Sequence, residues 1–212
     1  MKTSDLIRAL AADNDAHAMS PGRALVLALI PGVAIALGLH FAILGLRSHL
    51  FALLGDPRIM FKLGVTLLLA ALSGPMVLRL VKPGASTRFA ASSLSAVPAL
   101  LAAACLAELL HMPSSLWGHR LIGSNPMACL VSIPLLATIP LAATLLALRQ
   151  GAPEHPGLAG AAAGLFAGAI GATFYATHCP DDSPLFVAVW YSLAIGISIL
   201  AGAQAGRKLL RW

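Results

Sequence analysis

The sequence predicts an all-α membrane protein. It would be a polytopic bundle of six transmembrane helices with both termini on the cytoplasmic side (N-in/C-in) and a short cytoplasmic N-terminal amphipathic helix. Three observations carry this. After residue 22 nearly all of the 212 residues fall into six long apolar runs, roughly 24–46, 63–81, 89–112, 127–148, 158–178 and 185–206. Each is close to the ~20 residues a helix needs to cross the hydrocarbon core. Barrel strands would be about half that length and would alternate. The chain is 58% hydrophobic and 10% charged, with mean hydropathy +0.86, which leaves no room for a soluble catalytic domain. Finally, the charges are asymmetric. With the N-terminus inside, Lys2, Arg8, Arg23, Arg79, Lys82, Arg88, Arg149, Arg207, Lys208 and Arg211 lie on the inner side, and Arg47, Arg58, Lys62 and Arg120 on the outer. That bias sets the orientation. It also accounts for the net charge of +6, so the basic balance does not call for nucleic acid.

Residues 1–22 form a polar leader with no signal-peptide pattern, so the first span is expected to serve as an uncleaved anchor. Thr3-Ser4-Asp5 offers a helix cap and an acidic first turn. Leu6, Ile7, Leu10 and Ala11 then share one face, with Arg8 and Asp13 elsewhere. The helix should stop by Asn14, and Ser20-Pro21-Gly22 reads as a hinge. A helix of about ten residues is marginal alone in water. Its apolar face calls for a surface: the bilayer, the bundle, or the groove of a soluble partner. Asp13 and Asp15, set against only two basic residues, argue against a strong lipid anchor.

Within the bundle, Pro134 and Pro140 predict a strongly kinked span 4. Gly160, Gly164 and Gly168 recur every four residues in span 5, and span 6 adds Gly202 and Gly206. Such stripes let helices approach closely, in a monomer's core or at a dimer interface.

The outer connection between spans 5 and 6 reads His178-Cys179-Pro180-Asp181-Asp182-Ser183-Pro184. Ser183-Pro184 is an N-cap followed by proline at the first helical position. Asn125-Pro126 places Cys129 in the first turn of span 4. Spans 4 and 5 share a short inner connection and should be antiparallel neighbours. Counting from Leu148 and Leu158 at 1.5 Å per residue brings Cys129 and Cys179 to within about one helical turn of the same depth. A reversible disulfide is geometrically open there. So is a soft or borderline metal on Cys129, Cys179 and His178, with Asp181, Asp182 and His111 nearby. Buried cysteine as a small apolar residue is the plainer alternative. The two aspartates should hold Cys179 protonated. Glu108 is the sole acidic residue within a span, sharing a helix face with Cys105 and His111. Intramembrane carboxylates mark functional sites or polar contacts, and His40 reads as a hydrogen-bonded packing residue.

Three blocks carry a family resemblance: Met1 through Asp13; Gly123-Ser124-Asn125-Pro126-Met127-Ala128-Cys129-Leu130 through Ile133-Pro134-Leu135-Leu136; and Tyr175 through Tyr191. Together they resemble the NrsF-type six-span membrane anti-sigma factors of the bacterial inner membrane. The resemblance implies a regulator and not an enzyme. Its cytoplasmic leader (1–22) would hold an extracytoplasmic-function sigma factor through Asp5, Leu6, Ile7, Arg8 and Leu10. Its sensor domain (23–212) would release that partner on an oxidative or heavy-metal signal. The family's paired cysteines fall on Cys129 and Cys179, and His178, Asp181, Asp182, His111 and Glu108 would be supporting residues. No cofactor is required, though a heavy metal could bind transiently at Cys129, Cys179 and His178. The partners are the sigma factor and the bilayer, with no direct nucleic acid. Two other classes compete: a small transporter or ion-coupled channel using Glu108, His40 and span 4, and a membrane thiol oxidoreductase. The missing CxxC weakens the latter.

Overall fold

A computed structural model of the protein describes residues 3–13, 19–53 and 55–210, with only the backbone at 9–13 and 53. No strand occurs among them. Six helices are long and apolar enough to cross a membrane. Span 1 is Pro21–Ile43, span 2 Pro57–Leu80 and span 3 Arg88–His111. Span 4 is Pro126–Leu148, span 5 Pro156–Ala176 and span 6 Pro184–Leu209. The distal end of the bundle is where spans 1, 3 and 5 finish and spans 2, 4 and 6 start.

Four spans begin the same way. The side chains of Ser20, Asp56, Asn125 and Ser183 each accept a hydrogen bond from a first-turn N–H, and each is followed by proline. The proline supplies a preset φ where its missing donor is not needed. Ser20-Pro21-Gly22, expected as a hinge, is thus the cap and first turn of span 1. Asp56-Pro57 starts span 2 ahead of the expected residue 63. Lys62, expected among the outer loop charges, therefore lies inside that helix and is wholly buried. Span 1 stops at Ile43, short of the expected 46, and Gly45 takes a positive φ just beyond it.

Span 3 is two helices, Arg88–Leu94 and Ala96–His111. Pro98 accounts for the break, because it lacks the N–H that would bond the Leu94 carbonyl and its ring crowds that carbonyl. Span 4 runs as one continuous helix through Pro134 and Pro140. Span 6 carries a π-helical turn over Val187–Tyr191, an insertion that re-aims side chains.

Span 5 is the centre of the bundle. A Cβ added to Gly160 would run into the carbonyl of Gly202, one on Gly164 into the carbonyl of Ser198, and one on Gly171 would lie 2.6 Å from the carbonyl of Ile133 in span 4. The glycine stripe therefore serves the chain's own core, where backbones meet directly.

In the leader a helix spans Thr3–Asp13. Leu6 and Ile7 are 44% and 63% exposed, while the Leu10 side chain lies outside the described residues.

Candidate functional site

Span 5 ends at Ala176, and the Tyr175 carbonyl accepts from the N–H groups of both His178 and Cys179. This tight turn brings Cys179 into one buried cluster with Cys129 from the first turn of span 4, and the Cys179 thiol donates a long hydrogen bond to the Asp181 carbonyl at 3.8 Å. Both cysteines are fully buried, and all three cysteines of the chain are free thiols. The pair sits in an apolar cluster with Ile133, Tyr175, Phe186 and Tyr191. The Tyr175 and Tyr191 rings are 6.0 Å apart, and the buried Tyr191 hydroxyl has no well-formed hydrogen bond. The π turn of span 6 ends at this tyrosine.

The connection carrying Cys179 is tied to every neighbouring element. Lys62 of span 2 donates from Nζ to the Cys179 carbonyl at 2.7 Å and to the Asp181 carbonyl at 3.2 Å, and forms an ion pair with Asp182. Arg47, after span 1, binds the other Asp182 oxygen at 2.7 Å, and its own N–H donates to the Thr177 carbonyl. Asp181 turns the opposite way and accepts from the N–H and, at 2.8 Å, the hydroxyl of Ser124, just ahead of span 4. Ser183 donates to Glu108 of span 3 at 2.6 Å, and the other Glu108 oxygen lies 3.6 Å from Arg58. Cys105 donates to the Pro184 carbonyl from the same face of span 3. A buried ammonium is tolerated only when such acceptors replace its water. Gly123 allows the close approach: it has φ +66°, and a Cβ there would lie 2.5 Å from the Phe186 ring and 2.8 Å from the Asp181 carboxyl carbon.

Above this network opens a polar cavity of about 260 Å³, lined among others by Arg47, Arg58, His119, Arg120 and Pro180 through Ser183. The cations alter the expectation for Cys179. Its thiol is drawn below the ordinary thiol range, first by the neighbouring Cys129 thiol and next by the charge of Lys62, against the opposing effect of burial. Asp182 is paired with two cations, and the Asp181 carboxylate is turned toward Ser124.

The sensor candidates Cys129 and Cys179 are therefore brought together, and Asp181, Asp182 and Glu108 hold the segment around them. His178 is turned away, its Nδ1 against the Gly45 carbonyl at 3.1 Å, and His111 is exposed with its Nδ1 on its own helix at Ala107. His40 bonds Thr177 at 3.1 Å, as a packing histidine would. Among the described residues no three His, Cys, Asp or Glu side chains converge to hold a metal ion. Only the two thiols meet as soft donors. Lys62 and Arg47 counted in the sequence only as outer-side charges, and Ser124, Tyr175 and Tyr191 had no site role there. The signal for Lys62 was the Asp56-Pro57 cap, which moves the start of span 2.

A family model described as NrsF, negative regulator of sigma F, matches residues 10–212. The probable anti-sigma-F factor NrsF of Azospira oryzae is 38% identical over 217 residues, covering all of both chains. The anti-sigma-F factor NrsF of Caulobacter vibrioides is 38% identical over 215 residues, again covering all of both. No solved structure matches the chain.

Proposed function

This chain belongs to the NrsF family of negative regulators of sigma F, anti-sigma factors and not enzymes, and from that premise we propose how it holds and frees its partner. It sits in the bacterial inner membrane with both termini in the cytoplasm. The leader helix captures a sigma factor of the extracytoplasmic-function type, with Leu6, Ile7 and Leu10 as apolar anchors and Asp5 and Arg8 at their rim. Oxidation, or capture of a thiophilic metal, at Cys129 and Cys179 shifts span 4 against span 5 and weakens that grip. The observation that carries the reading is the meeting of two thiols from separate elements, buried side by side at the end of the bundle away from the leader. A further support is the exposure of Leu6 and Ile7, an apolar pair that stays uncovered among the described residues. With only two thiols converging, a metal ligand would be a soft ion that accepts few donors. The stimulus can act only through its different affinity for the holding and releasing states.

The test is co-purification of the solubilised protein with its sigma factor. Capture should disappear when residues 2–18 are deleted, and capture by that truncated chain would move the contact to the inner loops. In cells, Cys129→Ser and Cys179→Ser should each lose signal-dependent release, whereas Cys105→Ser should keep it. A normal response in both sensor variants would remove the thiols from the mechanism.

A further inference from the structure

We propose that Lys62 is a positioning residue that makes Cys179, and not Cys129, the thiol of the pair that reacts first with a peroxide. The inference rests on the thiol-sensor reading above and adds a direction to it. Its basis is the geometry of charge around a buried sulfur.

Lys62 and Arg47 both bind Asp182, so two cations share one carboxylate. The second carboxylate, Asp181, is engaged by three hydrogen bonds from Ser124 on its far side. The charges around the Cys179 segment balance overall, but the Lys62 ammonium is the one brought directly onto it, grasping the Cys179 carbonyl at 2.7 Å, while the Asp181 carboxylate is turned to Ser124. Lys62 is completely buried, so water does little to screen it. Cys129 has only the N-terminus of span 4 for comparison, worth about half a unit charge. A nearby cation favours thiolate, and the thiolate is the nucleophile. Cys129, buried in the same cluster and without a cation of its own among the described residues, is correspondingly placed as the resolving thiol. The polar cavity is lined by Pro180, the residue after Cys179, and by Asp181 and Asp182, so a small polar oxidant gathered there lies next to the segment that carries the sulfur.

The chemistry closes with a peroxide as oxidant. The Cys179 thiolate attacks one peroxide oxygen, the O–O bond breaks, and the departing hydroxide takes up a proton as water, leaving a sulfenic acid. The Cys129 thiol then attacks that sulfur, the disulfide forms, and a second water leaves. Two thiols and one hydrogen peroxide give one disulfide and two waters.

The experiment uses the full chain in lipid nanodiscs treated with hydrogen peroxide from pH 5.5 to 9.5. Peptide mass spectrometry follows the disulfide, and dimedone traps the first sulfenic acid. In the wild type the trapped adduct should lie on Cys179. Lys62→Met should slow the reaction at least about fivefold near pH 7, with the rates converging at high pH, because the thiolate fraction there is lost to a higher midpoint. Lys62→Arg should restore most of the rate. Asp182→Asn removes a negative charge beside the ammonium and should move the midpoint to lower pH. A merely structural clamp would make the Lys62 and Asp182 variants fail in the same direction. Parallel shifts, an adduct on Cys129, or an unmoved pH profile would each overturn the proposal. If Lys62→Met does not fold, the Asp182→Asn shift and the adduct position still decide it. Ordered chemistry without sigma-factor release would instead count against the sensor reading, leaving the role of Lys62 intact.

Discussion

The two halves of the bundle are built on different physics. In the most apolar 18-residue stretch of each of spans 1–3, between 11% and 22% of the residues are buried; in spans 4–6 the share is 44% to 56%. The second half is a close-packed core in which glycines let backbones touch. The first half faces outward along most of its length; at one end Ala24, Leu25, Val77 and Val81 pack it against spans 4 and 5, and at the distal end it is joined to the core by polar hooks: Arg47 after span 1, Lys62 in span 2 and Glu108 in span 3. Packing through small residues is hard to change by degrees, since it is lost when atoms collide. Hydrogen bonds and ion pairs can be remade. The halves therefore divide naturally into a rigid frame and a set of contacts that respond to the state of the segment around Cys179.

The sharpest way to break that contrast is to add one methyl group to each half. Gly164→Ala should cost about 2–3 kcal/mol, because the new Cβ has no room against the Ser198 carbonyl. It should appear as a large fall in thermal midpoint or in folded yield in detergent. Equal stability of Gly164→Ala and wild type would refute the frame. Next in size is the leader, which belongs to neither half. Leu6→Asp or Ile7→Asp should weaken sigma-factor binding by about 2 kcal/mol or more if these are anchor residues. The thermal midpoint should not move, since both side chains are exposed.

A smaller effect is expected at a polar hook. Glu108→Gln keeps the shape and can still accept from Ser183, but loses the charge that faces Arg58. A cost of about 1 kcal/mol is expected, read by thermal unfolding. The smallest effect closes the comparison. Gly64→Ala in span 2 meets nothing within 4 Å, so it should be neutral or stabilise by up to about 1 kcal/mol through helix propensity. A marked loss there would show that the first half is packed against something further.

Much of this was legible in the linear chain because the bilayer leaves few choices. A run of ~20 apolar residues must become a helix to satisfy its own backbone, and a cap residue before proline marks where it starts. Asn125-Pro126 and Ser183-Pro184 were readable on that basis, and so was the approximate depth of Cys129 and Cys179. Span 2 was misjudged at its start because Arg58 and Lys62 dilute its apolar character. Hydropathy assumes that charge lies outside a helix, whereas a lysine can sit inside one when another element brings it acceptors. The glycine stripe announced close packing without naming a partner, since any second helix with small residues would do.

The sequence alone determined the number of spans, their approximate boundaries, the small-residue face of span 5 and the common depth of the two cysteines, because each follows from local periodicity and the length of a helix. Only the tertiary structure decided that span 5 packs on span 6 within one chain, that Lys62 reaches across to the Cys179 carbonyl, and that His178 turns away from the thiols. Those contacts join residues more than a hundred positions apart, or choose among several equally apolar faces. Local propensity is blind to such choices, and they are settled only when all the helices pack at once.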